Sequence, residues 1–292
     1  MNRERSDVKG ETTGAETAQP ASAPSSSSGH LTSHVSRLTS GVSRPFLLAW
    51  HFLTAVPLSR LAHDPRPEEL ARSMLWYPAV GLILGWALAV SDLLLTRVLS
   101  PVVVNGLLLL LLVAVTRGLH QDGLADFLDG LAGGRTPAER LAVMRDGRIG
   151  AIGATGLILD LGLRYAGLTV LSETHRFDLL ICLPAVGRWS MVLGAYGVRY
   201  ARAEGGLAGP FLGHLTVRHL LAATGLLGAV LLWLLGPTGA VLSLLLAGGV
   251  ARAMSLWSRR LLGGTTGDVL GATNEIVETL WLLAVPVLLG LP

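Results

Sequence analysis

The 292-residue sequence contains a single cysteine, Cys182, and a single lysine, Lys9. A lone cysteine excludes an intramolecular disulfide and a cysteine-built metal site, and its place inside an apolar run reads as a small buried hydrophobe. Charge is scarce: 15% of residues are charged and 5% aromatic, against about 25% charged in a soluble domain. That deficit excludes a soluble globular enzyme and a disordered chain. Hydrophobic residues make up 51% of the sequence and the mean hydropathy is +0.55. They fall in long blocks of Leu, Ala, Val and Gly, several close to the ~20 residues that cross a bilayer core. The expected fold is therefore all-α, a multi-pass transmembrane helical bundle.

Residues 1–44 are polar and rich in Ser, Thr, Ala and Gly, with no apolar core for a signal peptide. They read as a disordered polar tail, and 45–292 as the integral membrane domain. Phe46–Leu58 has 13 residues, including His51 and Pro57, too few for a span; an interfacial or re-entrant helix is expected there. About seven spans follow, at 76–95, 98–116, 149–171, 179–198, 220–235, 238–254 and 276–291, with a tight turn at Gly236–Pro237.

Orientation follows from arginine. Loops 59–73, 117–148, 199–218 and 255–275 hold thirteen arginines, whereas the alternate loops hold only Arg97 and Arg176. The positive-inside rule places the arginine-rich loops and the tail in the cytoplasm.

The long loops also carry the chemistry. In His120-Gln-Asp122-Gly-Leu-Ala-Asp126-Phe-Leu-Asp129-Gly130 the acids are spaced by four and three residues, so a helix gathers Asp122, Asp126 and Asp129 on one face. Three like charges repel, and oxygen-only ligands at this spacing suit Mg²⁺ or Mn²⁺ bridging to phosphates. A solvated acidic face is the bland alternative. Arg140 to Gly150 follows, with Arg145, Asp146 and Arg148 among glycines, which suits phosphate and equally suits ordinary juxtamembrane charge. Arg199, Arg202 and Glu204 form a third group. The last is Gly263 to Glu278, where Gly264, Gly267 and Asp268 precede Glu275 and Glu278, and Asp268, Glu275 and Glu278 can share a helical face. Within the spans, Asp160 and Arg164 read as a self-neutralising pair four apart. Arg188 has no neighbouring acid, and is expected to meet a loop carboxylate or an anionic substrate.

Together these motifs resemble the adenosylcobinamide-GDP ribazoletransferase, or cobalamin synthase, family. Its H-x-DGLAD-x-x-DG pattern is matched by His120 to Gly130, and its R-x-x-x-MRD-x-R-x-G stretch by Arg140 and Met144 to Gly150. RYAR-x-E-G is matched at Arg199 to Gly205 and GG-x-TGD-x-LGA at Gly263 to Ala272, and the likeness runs from about Phe46 to the C-terminus. The chain departs from the pattern at Gly147 and at Ala151-Ile152. The resemblance implies transfer of the adenosylcobinamide phosphate from adenosylcobinamide-GDP to α-ribazole or its 5′-phosphate, with GMP released, Mg²⁺ as cofactor, and a bacterial or archaeal cytoplasmic membrane. On this reading Asp122, Asp126, Asp129, Asp146 and His120 are the catalytic candidates. The phosphate-binding set is Arg145, Arg148, Arg188, Arg199, Arg202, Gly264, Gly267 and Asp268. Metal ligands are Asp122, Asp126, Asp129 and Asp146, with Glu275 and Glu278. The lipid bilayer is an expected partner, nucleic acid is not, and a homo-oligomer is left open.

Two other readings compete. A Mg-dependent membrane prenyltransferase would show two similar Asp-rich motifs. A polytopic transporter would place its ionisable groups near the bilayer midplane, whereas nearly all the acids here are expected in loops on one face.

Overall fold

Backbone amides in an apolar medium must be satisfied within the chain, and a helix does this locally. The computed structural model describes residues 44–58, 64–206 and 208–290, and among them the chain is helical, with one isolated bridge between Tyr200 and Thr265. The expected polar tail lies outside the described residues save for Arg44, as does part of the loop at 59–73.

Helix α1 covers residues 44–53. It is followed by α2 (Pro67–Ser73), a 3-10 turn at Met74–Trp76, α3 (Tyr77–Leu95), α4 (Pro101–Thr116) and α5 (Leu119–Gly133). Then come α6 (Pro137–Val143), α7 (Ala151–Thr169), α8 (Glu173–Ala195), α9 (Gly209–Gly213), α10 (Val217–Leu262) and α11 (Gly267–Leu288). Prolines at the first helical turns of α2, α4 and α6 start those helices, where a missing N–H costs nothing.

Each of the seven apolar segments lies mostly in a helix over its described residues. Among the described residues, four helices are long and apolar enough to cross a membrane, or five if α4 and α5 count as one broken span. α10 is one of the four, yet Gly236 breaks it with φ 69° just before Pro237. Leu244 lies against Gly228, eight residues either side of the break, and Trp189 touches both Thr224 and Gly248. The two arms are therefore antiparallel, the hairpin expected from Gly236–Pro237. α1 is not peripheral: Ala49 and Leu53 are wholly buried in the main core with Tyr77, Val80, Leu179 and Trp281.

α5 departs from α4 at 88°. The cause is two successive left-handed residues, Arg117 (φ 55°) and Gly118 (φ 65°). α5 thus leaves the span direction and packs against the N-terminal turns of α7 and α11, which gathers the motif loops at one end of the bundle. Arg140 reaches the Leu261 carbonyl at 3.3 Å, Arg199 the Gly263 carbonyl at 2.6 Å, and Arg202 the Asp268 carboxylate at 2.7 Å. At the other end Arg176 donates to both oxygens of Asp92 at 2.9 Å and also to Asn105, tying α3, α4 and α8.

Candidate active site

The site is built where α5 crosses α11. A Cβ on Gly123 would stand 2.9 Å from the Asp268 carbonyl oxygen, and one on Gly271 3.3 Å from the His120 Cα. Glycine at both positions lets the backbones touch and brings Asp122 and Asp268 to opposite sides of one crossing. Two cavities meet there. The larger, about 580 Å³, is lined by Asp122 and Asp126 with His51, Thr54, Thr116, Arg117 and Gly147. The smaller, about 180 Å³, is lined by Asp122 with His120, Tyr200, Arg202, Gly267 and Asp268. Asp122, exposed on α5, belongs to both.

The three aspartates share a face but differ in duty. Asp126 is half-buried, and burial together with Asp122 and Asp268 pushes its carboxyl up to about 7. Asp129 is engaged by the protein: its two oxygens accept the Gly150 N–H at 2.7 Å and the Gly153 N–H at 2.8 Å, capping the start of α7. Among the described residues no three acids or histidines converge as a ready-made metal cage. Asp146 is not among the residues that line either cavity, and it makes an exposed ion pair with Arg148 at 2.5 Å that holds its carboxyl below the usual range.

The arginine loops close round this face. Arg145 pairs with Glu204, beside a third cavity of about 310 Å³ that Arg202 also lines. Ala201 N–H donates to the Thr265 carbonyl at 2.8 Å and Thr265 N–H to that of Arg199 at 2.9 Å, a two-rung contact that joins the 199–206 loop to α11. Gly264 permits it, since a Cβ would meet the Arg199 carbonyl oxygen at 2.5 Å. Nothing in the geometry makes a comparable demand at Gly267, whose Cβ would find only Ala208 at 3.8 Å.

Behind the cavities lies a charged layer in the bundle interior. Arg164 bridges Glu275 at 2.7 Å and Glu278 at 2.8 Å, with Asp160 more distant at 3.3 Å. Arg188 pairs with Glu278, and Gln121 donates to Glu275 at 2.8 Å. All these charged groups are buried. Three expectations change accordingly. Asp160 and Arg164 are not a self-contained pair, because two glutamates on α11 compete at shorter range. Arg188 meets a glutamate of the neighbouring helix in place of a loop carboxylate. Glu275 and Glu278 lie deeper than expected, since α11 begins at Gly267 and carries them into the bundle. There they neutralise arginine and stand apart from the Asp122–Asp126 cavity.

His120 is buried at the edge of this layer, where burial, Arg188 and Arg164 hold its imidazole well below its usual value. Sequence reasoning missed His51, Thr54, Thr116 and Tyr200 as lining residues, and Arg117, whose guanidinium donates to the Ala55 carbonyl at 3.3 Å. The Arg117-Gly118 pair between a span and an acidic helix was the available signal for a break.

The chain matches the family model described as Cobalamin-5-phosphate synthase over residues 45–286. A Syntrophobacter fumaroxidans protein named adenosylcobinamide-GDP ribazoletransferase is 45% identical over 245 residues, which cover 80% of this chain and 97% of that protein. Proteins of the same name from Ectopseudomonas mendocina and Desulfitobacterium hafniense are 41% and 39% identical, over 81% and 82% of this chain and 96% and 95% of their own lengths. No solved structure matches.

Proposed function

Since the chain belongs to the cobalamin-5-phosphate synthase family, we propose that it transfers the adenosylcobinamide phosphate of adenosylcobinamide-GDP to α-ribazole or its 5′-phosphate. The acceptor hydroxyl oxygen bonds to the cobinamide-side phosphorus, the bond from that phosphorus to the GMP oxygen breaks, and the hydroxyl proton is released. The products are GMP and adenosylcobalamin, or its 5′-phosphate, the last step of nucleotide-loop assembly.

The observation that carries this reading is the meeting of two cavities at Asp122, with Asp126 in one and Asp268 and Arg202 in the other. Displacement at phosphorus needs its entering and leaving groups on opposite sides, and it asks for positioning and charge neutralisation more than covalent protein chemistry. Arg202, held by Asp268, and the rim residues Arg145 and Arg148 are suited to phosphate oxygens, which would replace Glu204 and Asp146 as their partners.

The residues present fit Mg²⁺. Burial first, and after it the neighbouring Asp122 and Asp268, push the Asp126 carboxyl up to about 7, and a cation between these acids would relieve their repulsion. Asp122 and Asp126 would hold the ion, with phosphate oxygens and water completing the shell, as Mg²⁺ prefers over an all-protein cage. When bound, Mg²⁺ neutralises charge on the diphosphate. Glu275 and Glu278, committed to arginine, support the helices that carry the site. The arginine bias supports a cytoplasmic position for this face, and the family resemblance supports a bacterial or archaeal inner membrane.

The test is an assay of purified, detergent-solubilised protein with adenosylcobinamide-GDP and α-ribazole, following GMP and the cobalamin product by chromatography. Equimolar formation of both is expected. A prenyltransferase or a transporter would release no GMP.

A further inference from the structure

His120 sits in the first turn of α5 with 1% of its surface exposed. It lines the smaller cavity together with Asp122, Tyr200, Arg202 and Asp268. Its Nδ1 lies 3.4 Å from Nη2 of Arg188. A guanidinium has no lone pair to offer, so this contact runs in one direction: Arg188 donates and Nδ1 accepts. The nearest carboxylate oxygen to the same nitrogen, Oε1 of Glu275, is 3.9 Å away and too far to hold a proton there.

Nδ1 is therefore bare and the ring hydrogen sits on Nε2. That nitrogen is buried and has no hydrogen-bond partner among the described residues. Buried donors are rarely left so, and an orphan at the wall of a cavity marks a place for a ligand acceptor. Arg188 is itself held, by Glu278 on α11. Arg164 in turn grips Glu278 and Glu275, and Glu275 accepts from Gln121, the residue beside His120. The imidazole is thus fixed in tautomer and direction by a closed ring of α5, α7, α8 and α11.

We propose that His120 presents its Nε2–H as a neutral hydrogen-bond donor to a phosphoryl oxygen of the substrate bound in the smaller cavity, with Arg188 as the positioning residue that sets the tautomer. This deepens, and rests on, the phosphoryl transfer proposed above. In this state His120 cannot serve as a base toward the acceptor hydroxyl: Nδ1 faces a guanidinium, and Nε2 already holds its proton. A preorganised donor of this kind assists where negative charge builds on oxygen in the transition state.

The tautomer can be read without turnover, by ¹⁵N NMR of histidine-labelled whole protein in detergent, the His120 signals being those lost in His120→Gln. A protonated Nε2 with a bare Nδ1 is expected. A proton on Nδ1, or an imidazolium, would overturn the proposal. The second arm is kinetic. A glutamine amide reaches the position of Nε2, whereas an asparagine amide reaches only that of Nδ1. His120→Gln should stay within about tenfold of the native rate of GMP release, and His120→Asn should fall by on the order of 100-fold, the loss typical of one oxyanion donor. Equal losses in the two variants, or none in either, would overturn it. No GMP from the native protein would overturn the reaction, and with it the acceptor assigned to His120, whichever tautomer is found.

Discussion

Gly150 donates its backbone N–H to Asp129 across 2.7 Å, and a Cβ on Gly150 would stand 2.4 Å from that same carboxylate. The acid that ends the DGLAD-x-x-DG motif is thereby a cap for the helix that follows. Asp129→Asn keeps one acceptor oxygen and replaces the other with a donor, so it should lose one of the two bonds to α7. A cost of about 1 kcal/mol in unfolding free energy is expected, seen as a lower thermal midpoint. An unchanged midpoint would show that the cap contributes nothing.

Asp122 gives the opposite signature. It is exposed and its side chain makes no hydrogen bond among the described residues, yet it borders both cavities. Asp122→Asn should reduce GMP release by about 10²–10⁴-fold, the range expected when charge stabilisation in the transition state is lost. Its thermal midpoint should stay close to that of the native protein. Near-normal turnover with unchanged Mg²⁺ dependence would leave the acidic face a mere solvated surface.

The pairing of these two aspartates shows what the sequence could and could not disclose. Their spacing alone announces a helix with one acidic face, and the apolar blocks announce the bundle. Whether an acid faces solvent, a cation or a helix end depends on residues more than twenty positions away, such as Gly150 and Gly153. The start of α11 was hidden for a related reason. Asp268, Glu275 and Glu278 can share a helical face, but they lower the apolar character of its first half, so the span reads as beginning near residue 276 until the bundle supplies Arg164 and Arg188. Those partners lie 114 and 90 residues from Glu278, beyond any local pattern.

That interior layer should be expensive to break. Glu278→Gln takes from buried Arg188 the carboxylate it pairs with and leaves Arg164 only Glu275 and Asp160, and removal of one member of a buried ion pair typically costs about 3–5 kcal/mol. Poor accumulation and early thermal unfolding of the detergent-solubilised variant are expected. Arg176→Met at the far end, where a cation and a single acid are tied, should also destabilise the protein while leaving the KM for adenosylcobinamide-GDP unchanged.

A pH dependence follows from Asp126, whose carboxyl is pushed up to about 7 by burial and by Asp122 and Asp268. An unfolded chain releases this proton at about pH 4, so between that pH and 7 the folded state binds more protons than the unfolded one. Cation-free protein should therefore lose stability as pH rises across that window and level off above it. Asp126→Asn should flatten this trend in thermal midpoints. Magnesium added at pH 7 should release protons from the native protein, and far fewer at pH 8.5, as read by a pH indicator in weak buffer. Equal proton release at both pH values would exclude Asp126 from the cation site.

The Gly123–Gly271 crossing has a consequence for how a bulky ligand is admitted. A joint made of main chain has no rotamers to rearrange, so the distance between Asp122 and Asp268 is set by backbone contact and cannot be relaxed by repacking. A corrinoid–nucleotide conjugate, larger than either cavity, gains no room by spreading α5 from α11. Room must come from the border, where residues 54–58 and the 199–206 strap are fastened by polar ties such as Arg145–Glu204 that water can exchange. Tolerance of size belongs to the rim of this enzyme, and constancy of distance to its centre.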